Sequence, residues 1–473
     1  DVRPLRLVGS ALYLDRYWGD ERQVAGDVRA FAAAPADGVD RDRLEDGLRR
    51  LFGPDGDERQ RLAATSAVER RFTVVAGGPG TGKTTTVTRI AALLLEQDPS
   101  LLLGLAAPTA KAAERLGEAM VEEAGKLDVA PEVAGRVRSL EAMTLHRLLG
   151  RRRDSQSRFR HDRSNRLPHD VVIVDETSMV SLALMARLLE AVRPTARLVL
   201  VGDPGQLAAV DVGSVLGDIV DPARDGIVVL ERVFRFGDGI AALADAVRRG
   251  DADRAVEVLR GEPEGVRWSE DAEAAIRDEA VAAAREVRAA ALAGDPRAAI
   301  DALARFRVLC AHRRGDHGVA AWTARVEGWL TERVAGFRAD TPWYAGRPLL
   351  VTENDYGLRL FNGDTGVVVA TEGGGVEAAF LRATGVATYH PSRLAAIDTV
   401  YAMTVHKSQG SQFDTAAVVL PEPGSRILTR ELLYTAVTRA KKQLILSGSE
   451  EAVRAAVERP AARASGLRER LWG

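Results

Sequence analysis

One cysteine stands in the whole chain, Cys310, and a lone thiol excludes an internal disulfide. It lies in Phe306-Arg307-Val308-Leu309-Cys310-Ala311, which reads as a buried strand, so an inert core thiol is expected. Lysine is almost as scarce. Of the 65 lysines and arginines only six are lysine: Lys83, Lys111, Lys126, Lys407, Lys441 and Lys442. A bias that strong points to GC-rich coding rather than to recognition, and it makes retained Lys83 and Lys407 informative. Long apolar runs are missing too. Nothing reaches the 18 or more residues that a helical membrane span needs, so no membrane partner is expected. No signal peptide is visible, and a cytoplasmic setting is the expectation. The two signs of charge nearly cancel, to a formal net charge of −2. No bulk basic field therefore advertises a nucleic-acid partner, and any such surface must be a local groove.

What is present is length and an ordinary composition. At 473 residues, 46% hydrophobic and 28% charged, the chain has the make-up of a soluble globular protein of two to four domains. It opens on Asp1 rather than Met, the expected mark of residues missing upstream.

The chemistry centres on residues 77–84, Gly-Gly-Pro-Gly-Thr-Gly-Lys-Thr. An apolar run, 72–76, precedes them as a strand, and 85–95 follow as a helix. Strand, glycine-rich turn and helix are the context that a phosphate-binding G-x-x-x-x-G-K-T loop requires. Backbone N–H groups of Gly78, Pro79's neighbours, Gly80, Thr81, Gly82, Lys83, Thr84 and Thr85 are then expected to cradle the phosphates of ATP. Lys83 reaches the β- and γ-phosphates, and the Thr84 hydroxyl ligates Mg²⁺. Gln60, 17 residues before Gly77, carries an amide able to read adenine, although a surface Gln on a helix is the commoner case.

Further strands end in polar groups. Val171-Val172-Ile173-Val174 runs into Asp175, expected on Mg²⁺, and Glu176, expected to orient the attacking water. Residues 197–201 lead to Gly202-Asp203-Pro204-Gly205-Gln206, with Gln206 as a γ-phosphate sensor. Arg235 and Arg439 are candidate charges on the γ-phosphate, against the alternative of surface or ion-paired arginines. Thr109 and Lys111 begin a helix after the strand 101–107, where a backbone phosphate could bind. Residues 151–168 are basic, with Phe159 between Arg158 and Arg160, and read as an exposed hairpin: a solvated loop, or a contact at a strand-separation point. Residues 237–300 read as helical, with no chemistry assigned. Beyond the nucleotide motifs no acidic cluster has metal-ligand spacing, so a nuclease has little support.

In order, Gln60, the 77–84 loop, Pro108-Thr109-Ala110-Lys111, Asp175-Glu176-Thr177-Ser178, Gly202-Asp203-Pro204-Gly205-Gln206, Phe234-Arg235, His406-Lys407-Ser408-Gln409-Gly410 and Tyr434-Thr435-Ala436-Val437-Thr438-Arg439 resemble the motifs of superfamily 1 DNA helicases. The resemblance spans about 57–448. Within that superfamily the 77–86 stretch, the Asp175-Glu176-Thr177-Ser178-Met179 box and Leu12-Tyr13-Leu14-Asp15-Arg16-Tyr17-Trp18 look like the RecD family, the alpha subunits of exonuclease V (RecBCD). Thr177 departs from that pattern, which carries Ala there. With the start at Asp1, most of the amino-terminal helical region that docks on RecC in the family is expected to be missing.

The resemblance implies an α/β fold of two RecA-like parallel-sheet P-loop domains with a small SH3-like β-barrel inserted in the second. The expected boundaries are a lead-in at 1–56, a first domain at 57–236 with the hairpin at about 151–168, and a helical connector at 237–305. A second domain follows at 306–473, with the insertion at about 366–398. It implies ATP and Mg²⁺ as cofactors, single-stranded DNA and DNA ends as substrate, 5′ to 3′ movement, and RecB-like and RecC-like subunits in a heterotrimer for recombinational repair. Thr109, Thr144, His146, Asn354, Asn362 and His406 fall at positions expected near DNA. A stand-alone RecD-like helicase and a non-motor nucleotide switch are the alternatives.

Overall fold

The computed structural model describes residues 4–9, 11–54, 56–152, 158–208, 214–233, 237–339, 341–382, 385–462 and 465–473. The chain divides into two compact units, Asp1–Phe234 with Ala462–Gly473, and Arg235–Ala461. The expected Arg235 lies outside the described residues.

The first unit is built on a six-stranded sheet. Its order is Ala142–Thr144, Leu103–Ala107, Val171–Val174, Arg197–Gly202, Phe72–Gly77, Ile227–Leu230, and every pairing is parallel. Parallel strands need helical crossovers, and those helices cover both faces. The central strands are therefore apolar without alternation, and Val171–Val174 is buried throughout. Successive residues feed two cores. Val172 and Val174 point to one, and Val171 and Ile173 to the other. The helix Lys83–Gln97 lies on the second, burying Ile90, Leu93 and Leu94.

The second unit repeats the plan with five parallel strands in the order Ala402–Thr404, Phe306–Cys310, Phe413–Val419, Ala440–Ser447, Val266–Ser269. Cys310 is fully buried, and burial pushes its thiol up to about 12, which fits an inert core position. Residues 237–305 are not a separate helical connector, because Val266–Ser269 supplies the edge strand of this sheet. Inserted between Phe306–Cys310 and Ala402–Thr404 is a five-stranded antiparallel sheet. Its order is Gly385–Tyr389, Val376–Arg382, Thr365–Ala370, Pro348–Val351, Ile397–Thr399. It begins earlier than the expected 366, since the strand Pro348–Val351 lies within it, between Thr365–Ala370 and Ile397–Thr399. Among the described residues its pairing runs from Gly385–Tyr389 at one edge to Ile397–Thr399 at the other.

The end of the chain also departs from the expected domain plan. The helix Leu467–Trp472 belongs to the first unit, packed on the helix Asp15–Ala32. Among the described residues no helix is long and apolar enough to cross a membrane.

Leu94 is fully buried, whereas Leu62 on the helix Glu58–Glu69 is 47% exposed. Leu94→Ala is expected to destabilise the first unit by about 2–5 kcal/mol, and Leu62→Ala to change it by less than about 0.5 kcal/mol. The shift of the urea midpoint measures both.

Candidate nucleotide site and flanking polar edge

Because the six strands run one way, all their carboxyl ends lie along one edge, the place where parallel sheets present ligand-binding groups. Read across the sheet order, that edge carries Thr144, Thr109, Asp175 with Glu176, Gln206, then the 77–84 loop.

The loop takes its shape from its glycines. Gly80 and Gly82 hold φ of 83° and 78°, which side chains rarely adopt. A Cβ on Gly82 would lie 2.4 Å from Gln60 Nε2, and one on Gly77 would lie 2.6 Å from Thr81 Oγ1. Thr81 braces the turn by donating to the Gly78 carbonyl at 2.9 Å. Lys83 Nζ folds back onto its own loop, donating to the carbonyls of Gly77 and Gly78 at 2.6 and 2.8 Å. These are weak neutral acceptors for an ammonium, and phosphate oxygens would draw it away.

Gln60 sits on this loop. Its helix begins at the N-cap Asp57, whose carboxylate accepts from the Gln60 backbone N–H at 3.0 Å. The buried side-chain amide then donates to the Thr81 carbonyl at 3.0 Å. One amide hydrogen is thus committed to bracing the loop.

Asp175 and Glu176 follow Val174 at the strand end. Glu176 has φ of 49°, a left-handed conformation that a non-glycine residue holds only when its surroundings fix it. Its backbone N–H donates to Asp175 Oδ1 at 2.7 Å, and Thr177 Oγ1 donates back to the Val174 carbonyl at 2.9 Å. Burial and the neighbouring Glu176 charge push the Asp175 carboxyl up to about 6, although Lys83 and Arg115 pull the other way. A carboxylate that resists ionising in isolation suits a site completed by a cation.

Gln206 is oriented by a residue that sequence reading left without a role. Asp203, 2% exposed, accepts from Gln206 Nε2 at 3.0 Å and from the Gly205 backbone N–H at 2.9 Å. A carboxylate only accepts, so the amide nitrogen must face Asp203. The signal was the spacing of Asp203 and Gln206 in one tight turn.

The residues fit a magnesium ion beside a nucleotide. Among the described residues no group of three or more His, Cys, Asp or Glu could hold a metal alone. Mg²⁺ shared with phosphates needs only one or two protein ligands, and Thr84 and Asp175 are the right types.

Residues 56–271 match the model described as AAA domain, and 399–447 the UvrD-like helicase C-terminal domain. The chain is 53% identical to the RecBCD enzyme subunit RecD of Mycolicibacterium smegmatis, over 99% of this chain and 83% of that protein. It is 52% identical to the subunit of the same name from Mycobacterium tuberculosis, over 97% and 80%. The chain belongs to the RecD family of helicases. It is also 32% identical to the ATP-dependent RecD2 DNA helicase of Deinococcus radiodurans, over 97% of this chain and 58% of that protein.

The remaining RecD-type positions are scattered along both units. Thr109 and Thr144 are N-caps: their hydroxyls accept from the backbone N–H groups of Ala112 and Arg147, each at 3.2 Å. Lys111 follows in the first turn of the helix Ala110–Ala124. His146 meets Phe159 edge-on at 5.6 Å, and desolvation with the nearby Arg151 charge lowers its pKa. Phe159 itself is not exposed. It is 8% accessible and part of a first-unit core. Two arginines further along the basic stretch are held too, Arg163 by both oxygens of Asp27 and Arg166 by the Val192 carbonyl. The hairpin's residues 153–157 lie outside the described set.

In the second unit Asn354 Oδ1 accepts from the Asn362 backbone N–H at 2.9 Å, so these two share one turn of the inserted sheet. Tyr356, 70% exposed in that turn, escaped sequence reading because a lone tyrosine between polar residues has no pattern. His406 follows the carboxyl end of Ala402–Thr404, and burial lowers its pKa. Arg439 precedes Ala440–Ser447 and so lies at the other edge of that sheet. Its guanidinium donates to the carbonyls of Thr435 and Ser411 at 2.9 and 3.1 Å.

A folded-state pKa of about 6 for Asp175 lies above the ordinary aspartate value, so the folded chain holds the proton more tightly than the unfolded one. The ionised form therefore costs stability, and that cost grows as pH rises from about 4 to 6. Asp175→Asn is expected to raise metal-free stability at pH 7 by about 1–2 kcal/mol, allowing for solvent screening, with no gain below about pH 4. Urea melts at the two pH values check this.

Proposed function

We propose that this helicase is a motor driven by Mg²⁺-dependent ATP hydrolysis. It moves 5′ to 3′ on single-stranded DNA and serves with RecB-like and RecC-like chains at DNA ends in recombinational repair. The observation that carries the motor reading is the shared edge on which the Lys83 loop, Gln206 and Asp175-Glu176 sit side by side. The subunit reading is supported by identity to the proteins named RecBCD subunits, 53% against 32% for the RecD2 helicase. A stand-alone RecD-like helicase is the second reading, favoured by the match to RecD2 along 97% of this chain. Polarity rests on the family resemblance.

On this reading Lys83 leaves its loop carbonyls for the β- and γ-phosphates. The backbone of 78–85 surrounds the phosphate chain, and Gln60 holds the loop closed from behind while its remaining amide groups face adenine. Thr84 and Asp175 would hold Mg²⁺, which would supply neutralisation of phosphate charge. Glu176 orients the attacking water and takes its proton. Gln206, its nitrogen fixed by Asp203, offers its carbonyl oxygen to that water. Arg235 and Arg439 place positive charge on the transferred group. Arg439 must first exchange a carbonyl acceptor for phosphate. Loss of the γ-phosphate removes that attraction, which is how turnover becomes movement. Thr109, Lys111, Thr144, His146, Asn354, Asn362 and His406 line the DNA track. Neutral histidines and helix N-termini suit backbone contact without base selection.

Lys83→Ala is expected to cut ATP turnover at least about 100-fold while leaving the circular dichroism spectrum unchanged. Near-normal turnover would remove the site assignment. Single-stranded DNA is expected to raise wild-type turnover saturably, with affinity falling as salt rises. Turnover indifferent to DNA would favour a nucleotide switch over a motor. Co-expression separates the subunit from the stand-alone reading: the subunit co-purifies with RecB- and RecC-like chains, whereas processive unwinding by the full-length chain alone, with no such association, favours the other.

A further inference from the structure

The last helix, Leu467–Trp472, follows the second unit in sequence but belongs to the first. Its Leu467 and Leu471 are 0% and 5% exposed and join the core on one face of the six-stranded sheet. Glu21, itself 1% exposed, anchors its start. It accepts from the Gly466 backbone N–H at 3.0 Å and from Arg470 Nε at 3.2 Å.

Two further side chains of this segment, Arg468 and Trp472, reach the helix Val215–Ile219 and the residue that caps it, Val220. A five-residue helix cannot satisfy its own terminal carbonyls. Arg468 Nη2 donates to the carbonyls of Gly217 and Val220 at 2.6 and 3.0 Å, and Trp472 Nε1 donates to that of Asp218 at 3.2 Å. The short helix in turn carries Leu216 to the end of Arg197–Gly202. A Cβ on Gly202 would lie 2.8 Å from Leu216 Cδ2, and 3.1 Å from the backbone nitrogens of both Thr177 and Ser178. The contacts thus run from the C-terminal helix, through 215–219, to the turn that presents Asp175 and Glu176. That turn holds Glu176 at a positive φ, so it depends on what is packed behind it.

We propose that Arg468 and Trp472 are positioning residues for ATP hydrolysis, acting through the helix Val215–Ile219 on the Asp175–Ser178 turn. Neither touches substrate. They tie the alignment of the water-activating carboxylate to a segment that the chain reaches only after completing its second unit. The inference rests on the assignment of Asp175 and Glu176 to hydrolysis.

The test uses the full chain with Arg468→Met and Trp472→Phe combined, which keeps apolar bulk and removes all three carbonyl bonds. DNA-stimulated turnover is measured below the melting transition. The expected result is a kcat about five- to tenfold lower with KM for ATP within about twofold, because the Lys83 loop that binds ground-state phosphate is not disturbed. Arg468→Lys with Trp472 intact restores at least about half of kcat, since an ammonium still reaches a carbonyl. Leu48→Ala, in the core on the opposite face of the sheet, is the control: it lowers the melting temperature and leaves kcat in place. A wild-type kcat in the double variant overturns the proposal, as does an equal loss of kcat in Leu48→Ala. If the double variant does not fold, Trp472→Phe alone decides, with kcat expected about twofold lower and no change overturning it. Glu176→Gln separates the two levels. If it keeps turnover, the hydrolytic assignment itself fails. If it abolishes turnover while the double variant is normal, only the coupling fails.

Discussion

Six parallel strands, buried on both faces, leave one edge on which charge can survive, and the chemistry of the first unit follows from that constraint. Between the strand ends the buried residues are apolar apart from Thr73. Polar side chains that must meet a nucleotide can leave the sheet only where the strands stop. The sequence obeys this strand by strand: Val171–Val174 runs into Asp175 and Glu176, Arg197–Gly202 into Asp203 and Gln206, Phe72–Gly77 into the loop of Lys83. Backbone geometry then fixes the rest. Glycines at 80 and 82 admit the loop's left-handed turns, and Glu176 holds one of its own just past Val171–Val174.

The edge is electrostatically incomplete, and this makes sense of its strain. Lys83 settles for two carbonyls, while Asp175 is pushed up to about 6 by burial and by Glu176. Ionised Asp175 carries a cost that a bound cation would remove. The loop backbone and the Glu176 turn are held in place already, whereas Lys83 has to exchange its carbonyl acceptors for phosphate. Asp203 does for Gln206 what packing does for the carboxylates: it removes the choice of orientation.

The P-loop and the acids were legible in the sequence because each is local: an apolar run of strand length, then glycine or carboxylate, then a helix. Much of the rest depends on tertiary partners. Gln60 was legible as a residue near the loop, but its bond to Thr81 spans 21 positions and has no sequence signature. Phe159 between two arginines looks like an exposed tip, yet its ring turns inward against His146 and the core. Val266–Ser269 was absorbed into a helical reading because four residues with one arginine and one tryptophan make too short a pattern, and pairing with Ala440–Ser447 makes it a strand. The return of Leu467–Trp472 to the first unit was invisible for the same reason. Its two leucines at helical spacing say that a core is covered, not which one.

An ATPase cleft becomes a motor only if turnover moves the protein along a strand in one direction. Displacement of a labelled strand from duplexes bearing a single-stranded tail at either the 5′ or the 3′ end measures that most directly. The account predicts ATP-dependent displacement from the 5′-tailed duplex, with the 3′-tailed duplex left intact. Displacement from the 3′-tailed duplex alone, or equal displacement from both, would contradict it.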